Sequence, residues 1–234
     1  MRKKYWSIAF YVLGMVCAHY GVLAQSYWFG GKIGPSLAFQ KWNEFDNGGL
    51  LAPNVDFFLE TMPESKKSAF YGQIGFHTRG SSLRYGGFGL NTSSLKFKFH
   101  NASMEFGAKK MIDTDTDIKP FYMIGARAEY TVATNLSSYE AQASAFYPND
   151  AYVNRFVYGV TFGGGFEKQF DEFINSFLEI TFCPDLREQY IQPPIFGVRD
   201  PFGNKVSISE RIVRNYSLEV KVGLKFLRKI IYID

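Results

Sequence analysis

Residues 154–182 alternate between large apolar side chains and small or charged ones, and this pattern constrains the fold strongly. The apolar parity carries Phe156, Tyr158, Val160, Phe162 and Phe166 before a turn at 171–175, and Leu178, Ile180 and Phe182 after it. Because successive side chains of a strand point to opposite faces, the stretch is predicted to be a β-hairpin with one apolar face. A soluble β-fold buries such a face, whereas an outer-membrane barrel turns it toward lipid.

The same alternation recurs along the chain and predicts eight strands. They cover about 27–42, 51–61, 68–80, 95–112, 121–134, the two arms of the 154–182 hairpin, and 212–226. Each is long enough for the roughly 9 to 11 residues that a tilted strand needs to cross a bilayer. The connections after the second, fourth and sixth strands are short, and those after the third, fifth and seventh are long, as in outer-membrane barrels. The predicted fold is therefore all-β, an eight-stranded antiparallel up-and-down transmembrane β-barrel.

Ionisable side chains of both signs fall on the other parity of these strands. The thirteen that share it are Lys32, Asp56, Glu60, Arg79, Glu105, Lys109, Arg127, Glu129, Glu167, Glu179, Glu219, Lys221 and Lys225. Eight strands enclose an interior that side chains just fill, and a charge removed from water needs a partner. The pattern predicts a lumen plugged by ion pairs and hydrogen bonds, without a wide pore.

Two local features of the predicted barrel follow from the same pattern. In the fourth predicted strand, Phe97 and Phe99 occupy one parity and are expected to face lipid, whereas Phe106 occupies the other. One extra residue would restore the phase, so a β-bulge is predicted near His100 and Asn101. Aromatic residues near strand ends are expected to form interfacial girdles, namely Tyr27, Trp28, Trp42, Tyr122, Tyr130, Tyr190 and Tyr216.

Residues 1–24 have the features of a cleaved N-terminal signal peptide. Three basic residues precede an apolar run, and Val22 and Ala24 are small enough for the recognition sites of signal peptidase. The mature chain is then 25–234, which is expected to form one domain, the outer-membrane β-barrel. The alternative is an uncleaved membrane anchor, but the apolar run is short and His19 interrupts it.

The composition of the mature chain excludes several classes of protein. Removing the leader takes three of the 26 Lys and Arg residues and none of the 22 Asp and Glu residues, which leaves a net charge of +1. This balance gives no reason to expect a nucleic-acid partner. Cys183 is the single cysteine left, so no intrachain disulfide is expected. No apolar run of about 18 residues follows the leader, so no transmembrane helix is expected.

The sequence resembles the PorT-like family of small outer-membrane β-barrel proteins. The resemblance lies in the leader that ends at Val22-Leu23-Ala24-Gln25, in the opening strand Phe29-Gly30-Gly31-Lys32-Ile33-Gly34-Pro35-Ser36, and in the repeated aromatic-glycine pattern of the strands. It implies a barrel located in the cell outer membrane. Founding members of that family are implicated in type IX protein secretion, so the resemblance also implies envelope or secretion proteins as partners.

Two motifs suggest a metal or cofactor site, but each lacks a feature that such a site requires. Asp113, Asp115 and Asp117 are spaced like the start of a calcium loop, but Ile118 and Ile124 stand where a glycine and a bidentate glutamate are required. The glycine run 163–165 is not followed by a helix, so it cannot cradle a phosphate in the usual way. We expect no metal site, no cofactor-binding residue and no cofactor.

A lipid-modifying barrel enzyme would need a histidine positioned beside a serine or an acid. His77 shares the lumen parity, and His100 lies at the predicted bulge with Ser103 nearby, but no triad can be inferred from this spacing. Cys183 is expected to be a small buried filler. We therefore predict no catalytic residue and no enzymatic activity.

The sequence thus predicts an integral outer-membrane barrel that acts as a structural or interaction component of the cell envelope. Its expected partners are outer-membrane lipid and other envelope or secretion proteins. The alternative from another class is a secreted lipocalin-like carrier, in which the apolar parity would surround a small apolar ligand. The two hypotheses differ in which parity faces inward.

Overall fold

The computed structural model describes six stretches of the chain, 26–42, 46–61, 68–84, 94–140, 146–200 and 202–229. The predicted signal peptide, residues 1–24, lies outside the described residues. The strands in these stretches are β1 (Tyr27–Gln40), β2 (Asp46–Gly48), β3 (Leu50–Thr61), β4 (Ser68–Arg84), β5 (Ser94–Met111), β6 (Ile118–Thr134), β7 (Phe156–Asp171), β8 (Ile174–Pro184), β9 (Tyr190–Gln192), β10 (Ile195–Arg199), β11 (Lys205–Ile208), β12 (Arg211–Val213) and β13 (Asn215–Arg228). The helical elements are the short α1 (Ser137–Glu140) and a 3-10 turn at Asp150–Tyr152.

Eight long strands close into an antiparallel barrel. Their order around it is β1, β3, β4, β5, β6, β7, β8 and β13, which is also their order along the chain. The last strand pairs with the first, so that Leu37 faces Leu218 and Phe29 faces Phe226. The predicted eight-stranded up-and-down barrel is confirmed.

The apolar parity faces outward and the charged parity faces inward. Phe162 is 46% exposed and Val222 is 56% exposed, whereas Arg127 and Glu179 are buried. β3 shows the alternation without interruption, since every second residue from Leu50 to Thr61 is buried. Large apolar side chains on the outside of a closed barrel are explained by contact with lipid. The lipocalin-like alternative, which requires the apolar face to be inside, is therefore wrong.

The two ends of the barrel differ in the length of their connections. At one end, β3–β4, β5–β6 and β7–β8 are joined by 62–67, 112–117 and 172–173. At the other end, the connections at 135–155 and 185–214 are much longer. Because outer-membrane barrels place short turns in the periplasm and long loops outside the cell, the long connections mark the extracellular end.

The connection at 185–214 joins β8 to β13 and extends beyond the barrel as an extracellular arm. Its first part is the ladder of β9 with β12, which follows directly on the ends of β8 and β13. Its second part is the hairpin of β10 with β11, which forms a separate two-stranded sheet. No helix among the described residues has the length and apolar character needed to cross a bilayer.

The β-bulge predicted near His100 and Asn101 lies at the predicted level of the barrel, but the prediction of its strand and of its cause is wrong. The pairing of β5 with β6 does shift between His100 and Asn101, but the extra residue is Val132 of β6. β5 itself keeps one parity, because Phe97 and Phe99 are buried on the same inward face as Asn101. The interior is apolar at this end of the barrel, so an apolar parity does not mark the lipid face there.

The aromatic girdles predicted from strand ends are partly wrong. Tyr122, Tyr130 and Tyr216 are exposed on the outer surface, as a girdle requires. Trp42 and Tyr190 are buried at the extracellular end. Trp28 is also largely buried, and its ring lies against the Lys225 ammonium inside the barrel. Trp42 and Tyr190 help to close the extracellular end of the lumen, and Trp28 lines the cavity at the periplasmic end, so none of the three belongs to an outer girdle.

A charge placed on the outer face of β7 is predicted to block membrane assembly. Phe162→Arg should cost about 2 to 4 kcal/mol of folding free energy, since it puts a charge near the middle of the bilayer. The matched control is Phe202→Arg, because Phe202 is 90% exposed on the extracellular arm. Urea titration of folding into liposomes, read by heat-modifiable gel migration, measures both. Equal assembly of the two variants would contradict the assigned facing.

Candidate functional site

The interior of the barrel is the candidate functional site, because it gathers all thirteen ionisable residues predicted to face the lumen. Each of them is at most 7% exposed. Most belong to two sets of ion pairs, a central network and a lower ion square nearer the periplasmic end. The prediction of a lumen filled by paired charges is confirmed by their contacts.

The central network is built around Arg79, which β4 directs across the barrel. Its Nη2 lies 2.6 Å from Glu129 Oε1 of β6, and its Nη1 donates to Ser217 and Glu219 of β13. Glu129 also accepts from the Asn101 amide at 2.6 Å. One guanidinium therefore joins three strands, since its planar fork of five donors can serve two carboxylates at once.

A second part of the central network centres on Asp56 of β3. Its Oδ2 lies 2.7 Å from Lys221 Nζ, and its Oδ1 lies 2.6 Å from His77 Nε2. The other ring nitrogen of His77 is 3.1 Å from Arg79 Nη2. Lys221 in turn lies 2.7 Å from Glu219 Oε2. Both nitrogens of the imidazole are thus engaged, which makes His77 a structural member of the network.

The network extends to the extracellular end through Arg127. Its Nε is 2.9 Å from Glu129 Oε1, an ion pair that is not aligned as a hydrogen bond. Its Nη2 lies 2.5 Å from Asp185 Oδ1. The Asn215 amide donates to the other oxygen of Asp185 at 2.7 Å. Asp185 was missed by sequence reasoning, because it follows the end of β8, where alternation no longer assigns a face.

The lower ion square consists of Glu60, Lys109, Glu167 and Lys225, which come from four strands. Each lysine contacts both carboxylates. Lys109 Nζ lies 3.3 Å from Glu60 and 2.8 Å from Glu167, and Lys225 Nζ lies 3.1 Å and 2.7 Å from the same two residues. Alternating charges at the corners of a square neutralise one another without water, which allows them to be buried together.

Aromatic rings of the barrel wall pack beside the square and fill the space around it. They belong to the buried cluster of Phe58, Tyr71, Phe121, Met123 and Phe177. The Lys109 ammonium lies 4.0 Å from the centre of the Phe121 ring, a favourable cation–π distance. The Tyr71 hydroxyl donates to Glu105 at 2.6 Å, which ties the apolar cluster to the polar interior.

An apolar cluster closes the extracellular end. It contains Trp42, Phe97, Phe99, Leu136, Tyr190 and Val213, all buried. Burial raises the pKa of the Tyr190 phenol to about 12, so the hydroxyl stays protonated and donates to Gln192 at 2.7 Å. The Trp42 indole N–H donates to Ser81 at 3.0 Å. Polar atoms of this cluster are thus paired, as buried polar groups require.

The periplasmic end differs, because a cavity of about 720 Å³ opens there. Its inner part is lined by Trp28, Glu60, Glu167 and Lys225, so it reaches the lower ion square. Its rim includes Thr116 and Asp117 of the turn after β5, and Glu172 and Phe173 of the turn after β7. In the described part of the barrel, the lumen is therefore open at its periplasmic end and filled with side chains toward its extracellular end.

The residues considered for catalysis are not brought together. His77 lies in the central network, whereas His100 belongs to the outward parity of β5 and contacts Thr78 Oγ1 at 3.1 Å. Cys183 is buried in the lumen, 3.8 Å from Thr161 Oγ1, as predicted for a filler. The acidic turn that starts at Asp113 is exposed.

Removing the Arg79 guanidinium is predicted to destabilise the barrel strongly. Arg79→Met leaves Glu129 and Glu219 with fewer partners in a buried site, which should cost about 3 to 5 kcal/mol. Adding Glu129→Gln should recover part of this loss, because it removes one of the uncompensated charges. Urea unfolding in detergent micelles gives the free energies.

The control for Arg79→Met is Arg155→Met, which breaks the exposed pair of Arg155 with Asp150 at 2.8 Å. That change should cost no more than about 1 kcal/mol, since water already screens the pair. If the two arginine variants lost similar stability, the central network would not have the role assigned to it.

A comparison with known structures found similar barrels at low sequence identity. The outer membrane protein OprG from Pseudomonas aeruginosa has a TM-score of 0.50 and 11% identity, over 87% of this chain and 96% of that chain. Neisserial surface protein A has a TM-score of 0.49 and 10% identity, over 86% of this chain and 96% of that chain. No protein-family model and no curated protein sequence matches the chain. A closed barrel that is apolar outside and charged inside, with the fold of OprG, is an outer-membrane β-barrel.

Proposed function

We propose that the protein anchors an extracellular arm in the outer membrane and acts as a structural or interaction component of the cell envelope. The observation that carries this proposal is the filled lumen. Ion pairs and an apolar cluster occupy the space that a channel would need. The exposed parts of the chain on the extracellular side are then the surfaces left for a function.

The extracellular arm, residues 185–214, has the properties of a contact surface. Phe202 at its tip is 90% exposed, and Phe196 of β10 is 76% exposed. Exposing aromatic side chains to this extent in water is unfavourable. Aromatic residues are also enriched among those that dominate the binding energy of protein interfaces. We assign the arm as the surface that contacts another envelope protein.

The tip of the arm is ordered by its own hydrogen bonds. Asp200 Oδ1 accepts from the backbone N–H groups of Phe202 at 2.9 Å and Asn204 at 2.8 Å. Its Oδ2 accepts from the Asn204 amide at 3.0 Å, and this bond helps to lower the pKa of Asp200. Gly203 adopts a positive φ of 89°, which a glycine tolerates best. A preorganised tip loses less entropy when it binds.

The resemblance to PorT-like barrels extends the proposal to a place beside a type IX secretion assembly. The resemblance rests on the opening strand that begins at Phe29 and on the aromatic-glycine strands, which here form the barrel wall. In this role the barrel supplies the anchor, and the arm supplies the contact with the assembly.

A lipid-modifying enzyme is the alternative from another class. The contacts of the two histidines favour the structural role, since His77 bonds Asp56 and Arg79 inside the barrel and His100 bonds Thr78. An enzyme acting on lipid would need its base beside a nucleophile and open to the substrate. His77→Ala and His100→Ala should therefore leave the composition of envelope lipids unchanged.

A photo-crosslinking residue at position 202 tests the proposed contact in intact cells. It should capture an envelope protein when it replaces Phe202. The matched control replaces Phe170, which is 64% exposed but belongs to the periplasmic end of β7. The captured proteins are identified by mass spectrometry. Identical products at the two positions, or no product at position 202, would contradict the proposal.

A further inference from the structure

The outer face of β5 carries a basic facet at its extracellular end. We define it as Lys96, Lys98 and His100, which occupy alternate positions and therefore point to the same side of the strand. This is the outward parity, since Phe97 and Phe99 between them are buried inside. The facet thus faces the membrane side of the barrel wall and not the lumen.

The apolar band of the same strand begins directly below the facet. Continuing along the outward parity, β5 presents Ala102, Met104, Phe106 and Ala108, and a lysine returns at Lys110. Charged positions that flank an apolar stretch mark the two membrane interfaces of a barrel strand. The basic facet therefore lies at the level of the headgroups of the outer leaflet.

The lysines of the facet differ from the lysines of the lumen, because no described carboxylate forms an ion pair with them. Among the described residues, no ion pair involves Lys96 or Lys98. The positions of β4 opposite the facet are Ser82, Gly80 and Thr78, which carry no charge. Two adjacent ammonium groups on one face repel each other unless an anion lies between them.

The backbone that carries the two lysines is held in place by Asn135, which follows the end of β6. The Asn135 amide nitrogen donates to the Lys96 carbonyl at 2.7 Å, and its oxygen accepts from the Lys98 N–H at 2.7 Å. Its backbone N–H donates to the Lys98 carbonyl at 3.2 Å, and Tyr139 adds a bond to the Lys96 carbonyl. The backbone positions from which the two lysine side chains extend are thus held in place by Asn135 and Tyr139.

Apolar side chains next to the facet complete a surface suited to a lipid. The Phe76 ring stacks on the His100 imidazole at 6.1 Å with an angle of 10° between the planes. Phe76 and Met104 are both exposed on the outer surface, closer to the middle of the membrane than the lysines. A ligand with an anionic head and apolar tails could contact the ammonium groups and these side chains together.

We propose that the basic facet binds the phosphate of an outer-leaflet lipid headgroup, with the acyl chains of that lipid lying along Phe76 and Met104. Lys96 and Lys98 supply the charge, and the bonds of Asn135 hold the backbone from which both side chains extend. Lysine binds phosphate as a point charge and does not require bidentate geometry. The site should prefer a lipid with a phosphomonoester, which carries more negative charge than a zwitterionic headgroup.

Native mass spectrometry of the purified protein in detergent micelles tests this proposal. The probes are phosphatidic acid and phosphatidylcholine with the same acyl chains, and inorganic phosphate as the headgroup without tails. The protein should retain phosphatidic acid in preference to phosphatidylcholine. Lys96→Gln with Lys98→Gln should weaken retention of phosphatidic acid on the order of ten-fold, since each lysine at a membrane surface contributes to anion binding.

The matched control is Lys110→Gln, which removes a lysine from the same face of the same strand at its periplasmic end. Retention of phosphatidic acid should stay within two-fold of the unmodified protein in this variant, a margin of roughly 0.4 kcal/mol. Heat-modifiable migration verifies that each variant folds, and Lys96→Gln alone replaces the double variant if that fails to fold.

Three results would overturn the proposal. The first is unchanged retention in the double variant. The second is an equal loss on Lys110→Gln, which would mean that any interfacial lysine suffices. The third is displacement of phosphatidic acid by inorganic phosphate at similar concentration, which would make the facet a site for a free anion and not for a lipid.

Discussion

The pairing of charges inside the barrel is the constraint on which the rest of the structure depends. Within the hydrocarbon layer, the inner face of a strand is the one that can carry charge, and a charge buried there needs an ionic or hydrogen-bonding partner in the lumen. Arg79 reaches from β4 to Glu219 on β13, and Lys221 reaches from β13 to Asp56 on β3. Neither pair joins neighbouring strands. The ion pairs therefore connect opposite parts of the barrel wall and fix the cross-section of the barrel.

The same constraint accounts for the side chains that occupy the upper lumen, where the central network meets the apolar cluster. Burying an ion pair removes both partners from water, so its net contribution to stability is small even when the geometry is good. Breaking such a pair is much more unfavourable, because the remaining charge is left alone. Opening a pore through this interior would separate the buried ion pairs. The high free energy of that separation supports the proposal that the barrel is an anchor and not a channel. The cavity at the periplasmic end, where the lower ion square meets solvent, is the part of the lumen that side chains leave open.

Alternation alone predicted the fold and the inward facing of the thirteen charged residues assigned to the lumen, because a period of two assigns every strand residue to one of two faces. It failed where the chemistry of a face changes along the barrel. Phe97 and Phe99 are apolar and yet inside, since the extracellular end of the lumen is closed by an aromatic cluster. Trp28 is likewise inside at the periplasmic end, where its ring packs against the Lys225 ammonium.

Which charged residues pair with each other could not be predicted from the sequence. The partners depend on the stagger between strands, and no local sequence pattern contains that information. Asp185 and the extracellular arm lie outside the alternating segments and have no periodic signal.

The most direct measurement of the central claim compares two neighbouring phenylalanines of β3. Phe57 is 65% exposed and Phe58 is 8% exposed. Solution NMR of the barrel in lipid nanodiscs, with aromatic ring labels and a spin-labelled lipid, reports which rings contact hydrocarbon. The resonances of Phe57 should broaden strongly, and those of Phe58 should remain sharp. Broadening of Phe58 with protection of Phe57 would place the charged face in contact with lipid and would contradict this account.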